Sequence, residues 1–323
     1  QKYPDQLHTS SDGRKVNVGV DSLHASYSFK YFGKDKGVTM YTFIDERHAL
    51  FHSTVISASD REAAYVIDGL MQNEVVKSDI HSTDTHGFSE AIFTATHMID
   101  TAFAPRFKKI GEQRLYGFSS KSTYQRRGYS IVPSRTINRK LILKNWDDIL
   151  RFMATIKLRY SSASQLFKRL SSYAKDHPLY RALKEFGRII KSQFILTYYD
   201  DVELRQRIEK QLNKVELANR FSAAVFFANN QEFQVGTKEE QEIATACKVL
   251  MQNAIVLWNY LYLSQRLSST ADPDDRQDML EAITSGSIIA WAHVNMQGEY
   301  DFTRPAANDD VFDMAKILAL KLG

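Results

Sequence analysis

The residues of this sequence best suited to chemistry are a few carboxylates placed where a sheet and a long helix could gather them. Hard divalent cations such as Mg²⁺ prefer oxygen ligands in near-octahedral geometry. A pair of such ions about 4 Å apart activates a nucleophile and stabilises a leaving oxygen in phosphoryl transfer. Asp12, in Thr9-Ser10-Ser11-Asp12-Gly13, lies at the start of the first predicted strand. Asp84, in His81-Ser82-Thr83-Asp84-Thr85-His86-Gly87, falls where a strand gives way to a helix. Glu216 lies inside a long helix beside Val215, on the border of its apolar stripe. Spacing alone leaves the set open. The chain has 38 acids, and Asp21, just after the Val16-Val18-Val20 alternation, is as good a ligand by position as Asp12.

Other polar residues near these acids have plainer readings. His81 and His86 flank Asp84, but histidine is a poor Mg²⁺ ligand, so positioning or packing is expected of them. Lys214 and Arg220 share the helix of Glu216 and suit either phosphate neutralisation or solvated helix charge. Trp291, His293 and Asn295 read as a packed motif, and Gly33 and Gly37 as a hairpin turn rather than a phosphate loop. The single cysteine, Cys247, excludes an internal disulfide and a thiolate zinc site, and is expected as a buried small hydrophobe.

The elements that must hold the acids follow from periodicity. Val16, Val18 and Val20 alternate with polar residues, and 38–44 and 50–57 are two further β-rich runs. Three strands in quick succession predict an antiparallel meander. A helix is predicted from Asp60, with Ala64, Val66, Ile67 and Leu70 on its apolar face. A short strand over 75–80, a helix over 88–99 and a strand or irregular extension over 103–110 complete the order. That order is the order of a ribonuclease-H-like fold, although other α/β folds share it. From Trp146 the chain turns helical: 146–158, 161–174, 179–196 and 202–227, with His177-Pro178 as a break. A helix over 239–267, rich in Ile, Leu, Trp and Tyr, is expected to be well buried. Another starts near Asp272-Pro273, and a terminal helix covers 309–322.

Bulk properties bound the class. With 323 residues, 43% apolar and 25% charged, the sequence is ordinary for a folded globular chain. It has no run of 18 apolar residues. It lacks an initiator Met and a signal pattern, which reads as a fragment of a longer protein from a reducing bacterial cytoplasm. The net charge of +4 is uninformative, but its distribution is not. Residues 135–191 carry fourteen Lys or Arg against four acids, whereas 231–323 carry fourteen acids against seven bases. A basic block of that density points to a polyanion, with a solvated helical surface as the plain alternative.

The ordered motifs Ser10-Ser11-Asp12-Gly13, Tyr31-Phe32-Gly33, Tyr65-Val66-Ile67-Asp68-Gly69-Leu70, Thr83-Asp84-Thr85-His86-Gly87-Phe88, Phe103-Ala104-Pro105-Arg106, Leu212-Asn213-Lys214-Val215-Glu216, Ala224-Val225-Phe226-Phe227, Ile255-Val256-Leu257-Trp258-Asn259 and Gly298-Glu299-Tyr300-Asp301-Phe302 span nearly the whole chain. Together they resemble the C-terminal catalytic region of the Tn-three family of bacterial transposases, members of the DDE class. Val215 stands where that family often has Gly, and His86 where some members have Ala.

The resemblance implies an α/β fold, a ribonuclease-H-like mixed sheet with a helical insertion before the catalytic Glu and a helical C-terminal region. It divides the chain into a first part of the core (1–134), a basic helical insertion (135–200), the core helix with the Glu (201–230) and the C-terminal region (231–323). It puts the catalytic, metal-binding triad on Asp12, Asp84 and Glu216, choosing Asp12 over Asp21. It implies two Mg²⁺ ions, with Mn²⁺ as substitute, transposon-end and target DNA as partners, a homodimer when full length, and nucleoid-associated cytoplasmic action. Its reaction is hydrolysis at a transposon end followed by transfer of the 3′-OH to target DNA. The other readings are a nuclease of the same fold without strand transfer, and a non-catalytic DNA-binding or assembly protein. Lys140, Lys144, Lys168, Arg169, Arg188, Lys191, Lys214 and Arg220 are the expected DNA contacts.

Overall fold

The computed structural model describes residues 6–84, 88–172, 177–226, 229–299 and 312–320. Its centre is a mixed sheet. Strand β1 (His8–Asn17) lies in the middle, β2 (Lys36–Asp45) pairs with it antiparallel, and β3 (Leu50–Ser57) pairs antiparallel with β2. A two-residue edge strand, Ser26–Tyr27, also pairs with β2. Helix α1 (Ala63–Gln72) leads to β4 (Ile80–Ser82), parallel to β1 on its other side, and α2 (Glu90–Met98) leads to β5 (Ala102–Phe103), parallel to β4. The strand order is β3-β2-β1-β4-β5. Every residue of β2 from Gly37 to Asp45 is buried, because both faces of this central strand are covered. That coverage hides the two-residue alternation a half-exposed strand would show.

Besides the short helices Phe29–Phe32 and Lys121–Arg126, the described residues form α3 (Arg139–Lys144), α4 (Trp146–Lys157), α5 (Ala163–Ser172), α6 (Pro178–Asp200), α7 (Val202–Val225), α8 (Lys238–Ser269), α9 (Pro273–Ser285) and α10 (Met314–Ala319). Pro178 opens α6, where its missing N–H costs no helical bond. Helix α6 lies directly on α2: a Cβ at Gly187 would fall 1.7 Å from the Glu90 carbonyl oxygen, so only glycine permits this approach. The Thr94 hydroxyl donates to the Leu183 carbonyl (2.7 Å) across the same contact. Buried Asp68 on α1 accepts from the Ala163 and Ser164 amides (2.6 and 3.1 Å), supplying an anion to the first turn of α5.

Helix α7 is fixed to the sheet by Gln211. Its amide nitrogen donates to Ser10 Oγ and to the Ile44 carbonyl (both 3.2 Å), and its own carbonyl accepts from Ser10 Oγ (3.1 Å). Helix α8 departs from the sequence expectation. Its buried residues are mostly polar: Gln241, Thr245, Lys248, Gln252, Asn259 and Ser264, beside only Val256 and Leu267. Ile243, Leu250 and Leu257 are 57%, 71% and 56% exposed, and Cys247 is exposed rather than buried. The physical reason is what α8 packs against. Gln252 donates to the Ala218 carbonyl (3.0 Å), Lys248 to Ser222 Oγ (3.0 Å), and Asn253 exchanges two bonds with the backbone of Leu50. Buried backbone groups need partners, and here side chains of α8 provide them. Among the described residues, no helix is long and apolar enough to cross a membrane.

Candidate carboxylate site

Asp12 lies in the middle of β1, not at its start, because pairing with β2 begins several residues earlier; its Cα stands opposite Thr42. On the other side of β1, Ser10 stands opposite Ser82 of β4. Two residues further along the same parallel register, Asp84 follows β4 on the side of Asp12. The electrostatics agree with that placement. The Asp12 carboxyl is pushed up to about 6, chiefly by burial, then by the charges of Glu62 and Asp84, against the opposing pull of hydrogen bonds from Gly13 and Asn219. Asp21 lies beyond β1 and is exposed.

A neutral hydrogen-bonded layer supports the two strands behind the acids. Ser11 Oγ bonds Tyr41 Oη (2.7 Å) and His81 Nε2 (2.9 Å), while Thr9 Oγ1 bonds His81 Nδ1 (2.8 Å). The His81 ring is stacked against Phe43 and Phe103, with centroids 5.6 and 6.5 Å away. Burial lowers its pKa to about 3, so it is neutral at physiological pH and packs the sheet, as the sequence reading expected. Burial, reinforced by the charge of Glu62, keeps the Tyr41 phenol protonated. His86 lies outside the described residues.

Glu216 is on the exposed side of α7 and reaches the strand end through Arg106. The Arg106 backbone N–H donates to the carbonyl of Thr83 (2.9 Å), next to Asp84. Its guanidinium pairs with Glu209 through Nη1 (3.1 Å) and with Glu216 through Nη2 (3.5 Å). Burial lowers the Arg106 pKa, but Glu209, Glu216 and Asp84 outweigh that effect and hold it charged. One turn beyond Glu216, Asn219 donates to Asp12 Oδ2 (2.9 Å). The three sequence-chosen acids thus belong to one electrostatic neighbourhood. They do not form a closed ligand set: among the described residues, no group of three or more His, Cys, Asp or Glu is close enough to hold a metal ion.

Sequence reasoning gave no role to Glu62, Arg106, Glu209 or Asn219. Glu62 precedes α1, pairs with Lys15 (3.4 Å), and comes so near Gly13 that a Cβ there would meet its Oε1 at 2.4 Å. A sequence signal existed only for Arg106 and Asn219, which sit in or beside recognisable motifs. Glu62 and Glu209 read as ordinary helix acids.

The expected DNA contacts divide sharply. Lys140, Lys144, Arg169 and Arg220 are exposed. Lys168 is exposed and pairs with Asp60 (3.3 Å). Arg188 is half-buried, paired with Glu185 and lying over the Tyr116 ring. Lys191 is buried, 3.8 Å from Glu90 and over the Phe88 ring, so its ammonium faces the core instead of a phosphate. Lys214 donates to the Glu46 carbonyl (2.6 Å), and burial lowers its pKa. Further pairs from the basic segment run to Asp100 and Glu74 of the sheet region, through Lys157 and Arg159. Of the expected packed motif, Trp291 stacks on Phe221, whereas His293, stacked on Trp258, and Asn295 are exposed.

Comparison with known proteins gives the geometry a context. The model of the family described as Tn3 transposase DDE domain matches residues 1–300. The chain is 33% identical over 323 residues to the transposase for transposon Tn1546 of Enterococcus faecium, covering 99% of this chain and 32% of that protein. It is 34% identical over 304 residues to the transposase for transposon Tn501 of Pseudomonas aeruginosa, covering 92% of this chain and 30% of the relative. The transposase for transposon gamma-delta of Escherichia coli strain K12 is 29% identical over 302 residues, covering 92% of this chain and 29% of the relative. The chain therefore spans about a third of the length of these curated relatives.

Proposed function

Because the chain belongs to the Tn3 transposase DDE domain family, we propose that it is the catalytic region of a DNA transposase, acting through Asp12, Asp84 and Glu216. The observation that carries this reading is that Asp84 acts electrostatically on both Asp12 and Arg106, and Arg106 is paired to Glu216. Asp12, Asp84 and Glu216, far apart in sequence, are thereby linked through charge and through Arg106, which supports a shared site. The strand order β3-β2-β1-β4-β5, with an antiparallel first half and a parallel second half, supports a ribonuclease-H-like assignment. In that reading 1–134 and 201–230 form the core, 135–200 the basic insertion and 231–323 the C-terminal region.

The donor set fits a hard divalent cation. It consists of carboxylates, and the Asp12 carboxyl is pushed up to about 6, chiefly by burial and then by the charges of Glu62 and Asp84, a repulsion that a bound cation relieves. Asp12 and Asp84 would hold Mg²⁺, with Glu216 completing the set; two ions, replaceable by Mn²⁺, would supply activation of the attacking oxygen and stabilisation of the leaving oxygen. The chain's own groups prepare this arrangement. Gln211 sets α7 against β1, Asn219 orients the Asp12 carboxylate, and the Ser11–His81–Tyr41 layer ties β1, β2 and β4 together without competing charge. The reaction would be hydrolysis at a transposon end, then attack of the freed 3′-OH on target DNA in the bacterial nucleoid, by a homodimer of the longer protein. Exposed Lys140, Lys144, Lys168, Arg169 and Arg220 would grip phosphates without reading bases.

In a full-length transposase carrying this region, Asp12→Ala, Asp84→Ala and Glu216→Ala each abolish end cleavage and joining while leaving end-DNA binding within about threefold, consistent with carboxylates that hold metal and not phosphate. Retained nicking with lost DNA binding in Asp84→Ala would reverse these roles. Cleavage without any joining by the parent protein would favour a nuclease of the same fold.

A further inference from the structure

We propose that Arg106 is a positioning residue that holds Glu216 in competition with the site's divalent cation, using Glu209 as its alternative anchor. The proposal rests on the carboxylate site described above and adds to it a mechanism for loading Glu216. Four observations support it. The Arg106 backbone is bonded to Thr83, so the root of the side chain is fixed beside Asp84. Its two terminal nitrogens reach two acids of α7, Glu209 and Glu216, seven residues and about 10 Å of helix apart. The guanidinium is 19% exposed, whereas Glu209 and Glu216 are 49% and 47% exposed, so the cation is the sheltered partner of two solvated anions. Finally, Glu216 already has a protein cation as its partner, 3.5 Å from Arg106 Nη2, so an ion binding its carboxylate meets a competitor.

A guanidinium is a permanent cation with a rigid fork. Set between Asp84 and Glu216, it balances their charge when no metal does so. A divalent ion binding Glu216 must displace Nη2 from that carboxylate. Glu209, paired with Nη1 at the shorter distance of 3.1 Å, keeps the displaced guanidinium on α7. Competition of this kind makes the contribution of Glu209 to metal affinity depend on the presence of Arg106.

The test is a double-mutant cycle on Mn²⁺ binding to the 323-residue chain, read by isothermal titration calorimetry, with melting temperatures measured alongside. Arg106→Gln should tighten Mn²⁺ binding about twofold to fivefold, the range that an exposed ion pair contributes. Glu209→Gln, which leaves the guanidinium to Glu216 alone, should weaken it by a similar factor. In the Arg106→Gln background Glu209→Gln should have no effect. Equal effects of Glu209→Gln in both backgrounds would mean plain long-range electrostatics and overturn the proposal, as would weaker or unchanged binding in Arg106→Gln. If Arg106→Gln does not fold, Glu209→Gln and Arg106→Lys decide: unchanged Mn²⁺ binding in both overturns the proposal. Mn²⁺ binding that is lost in Asp12→Asn and Asp84→Asn but additive in the cycle leaves the site reading standing and removes only the competition. Absence of Mn²⁺ binding by the parent chain overturns both.

Discussion

Asp12→Asn should make the metal-free protein more stable near neutral pH and only slightly more stable in acid. The Asp12 carboxyl has a pKa raised from 3.8 to about 6, chiefly by burial and then by Glu62 and Asp84. The folded state therefore binds more protons than the unfolded state between these values, and stability falls as pH rises through that window. Two pH units at about 1.4 kcal/mol each make a cost of about 3 kcal/mol, fully present above pH 6 and shrinking to about 1 kcal/mol near pH 4.5. Asparagine keeps an oxygen that can accept from Asn219 and from the Gly13 amide, so little is lost in exchange. Thermal unfolding at pH 7.5 and pH 4.5, without divalent ions, should show a gain of several degrees at the higher pH and a gain of about a third that size at the lower. Millimolar Mn²⁺ should stabilise the parent at pH 7.5 and not the variant, because only a state that binds the ion gains from it. A loss of stability in Asp12→Asn at pH 7.5, or a gain independent of pH, would refute the idea that the site is strained by its own charge.

Lys248 is buried against Ser222 with its pKa lowered from 10.5 to about 7, chiefly by burial and then by Arg14, so stability should rise as pH goes from about 7 to 10; Lys248→Met should abolish that rise in pH-dependent denaturant midpoints. Gln211→Ala removes a buried amide that serves both Ser10 and the Ile44 carbonyl, and urea unfolding should report a loss of about 1–3 kcal/mol. Charge reversal at Lys168 and Arg169 should weaken DNA binding and reduce its log-log salt slope by about 0.9 per lost phosphate contact, while the melting temperature changes little, since the Lys168–Asp60 pair is exposed. An unchanged salt slope with a lowered melting temperature would assign these bases to internal pairing.

The sequence made some of this arrangement legible and hid the rest for physical reasons. Local patterns reported in part: of the Val16-Val18-Val20 alternation only Val16 lies in β1, with Val18 in a bridge beyond it and Val20 exposed, whereas the Pro break before α6 and the long stripe of Leu204, Ile208, Leu212 and Val215 have counterparts in the fold. Asp84 was placed correctly at a strand end because strand ends are local events. Long-range polar contacts left no such trace. Arg106 meets Glu216, Asn219 meets Asp12, and Gln211 meets Ser10 across separations of 110, 207 and 201 residues, and no periodicity encodes those meetings. Helix α8 misled for a related reason. Its apolar composition suggests burial, but the face it turns inward is largely polar and bonds the Leu50 backbone and the Ala218 carbonyl across the contact. Lys191 reads as a surface base in the sequence because charge runs carry no record of which helix face is buried, yet it is buried beside Glu90. The identification of the acids rested on the motifs, since neither spacing nor periodicity separated Asp12 from Asp21.

The most direct measurement of the central claim is the position of Mn²⁺ in this region bound to transposon-end DNA, located by anomalous scattering. Mn²⁺ is expected between Asp12 and Asp84, with carboxylate oxygens about 2.1 Å away and Glu216 drawn in from Arg106 to the same ion or its neighbour. Carboxyl groups of Asp12, Asp84 and Glu216 more than about 10 Å apart in that DNA-bound state, or Mn²⁺ held elsewhere, would contradict it.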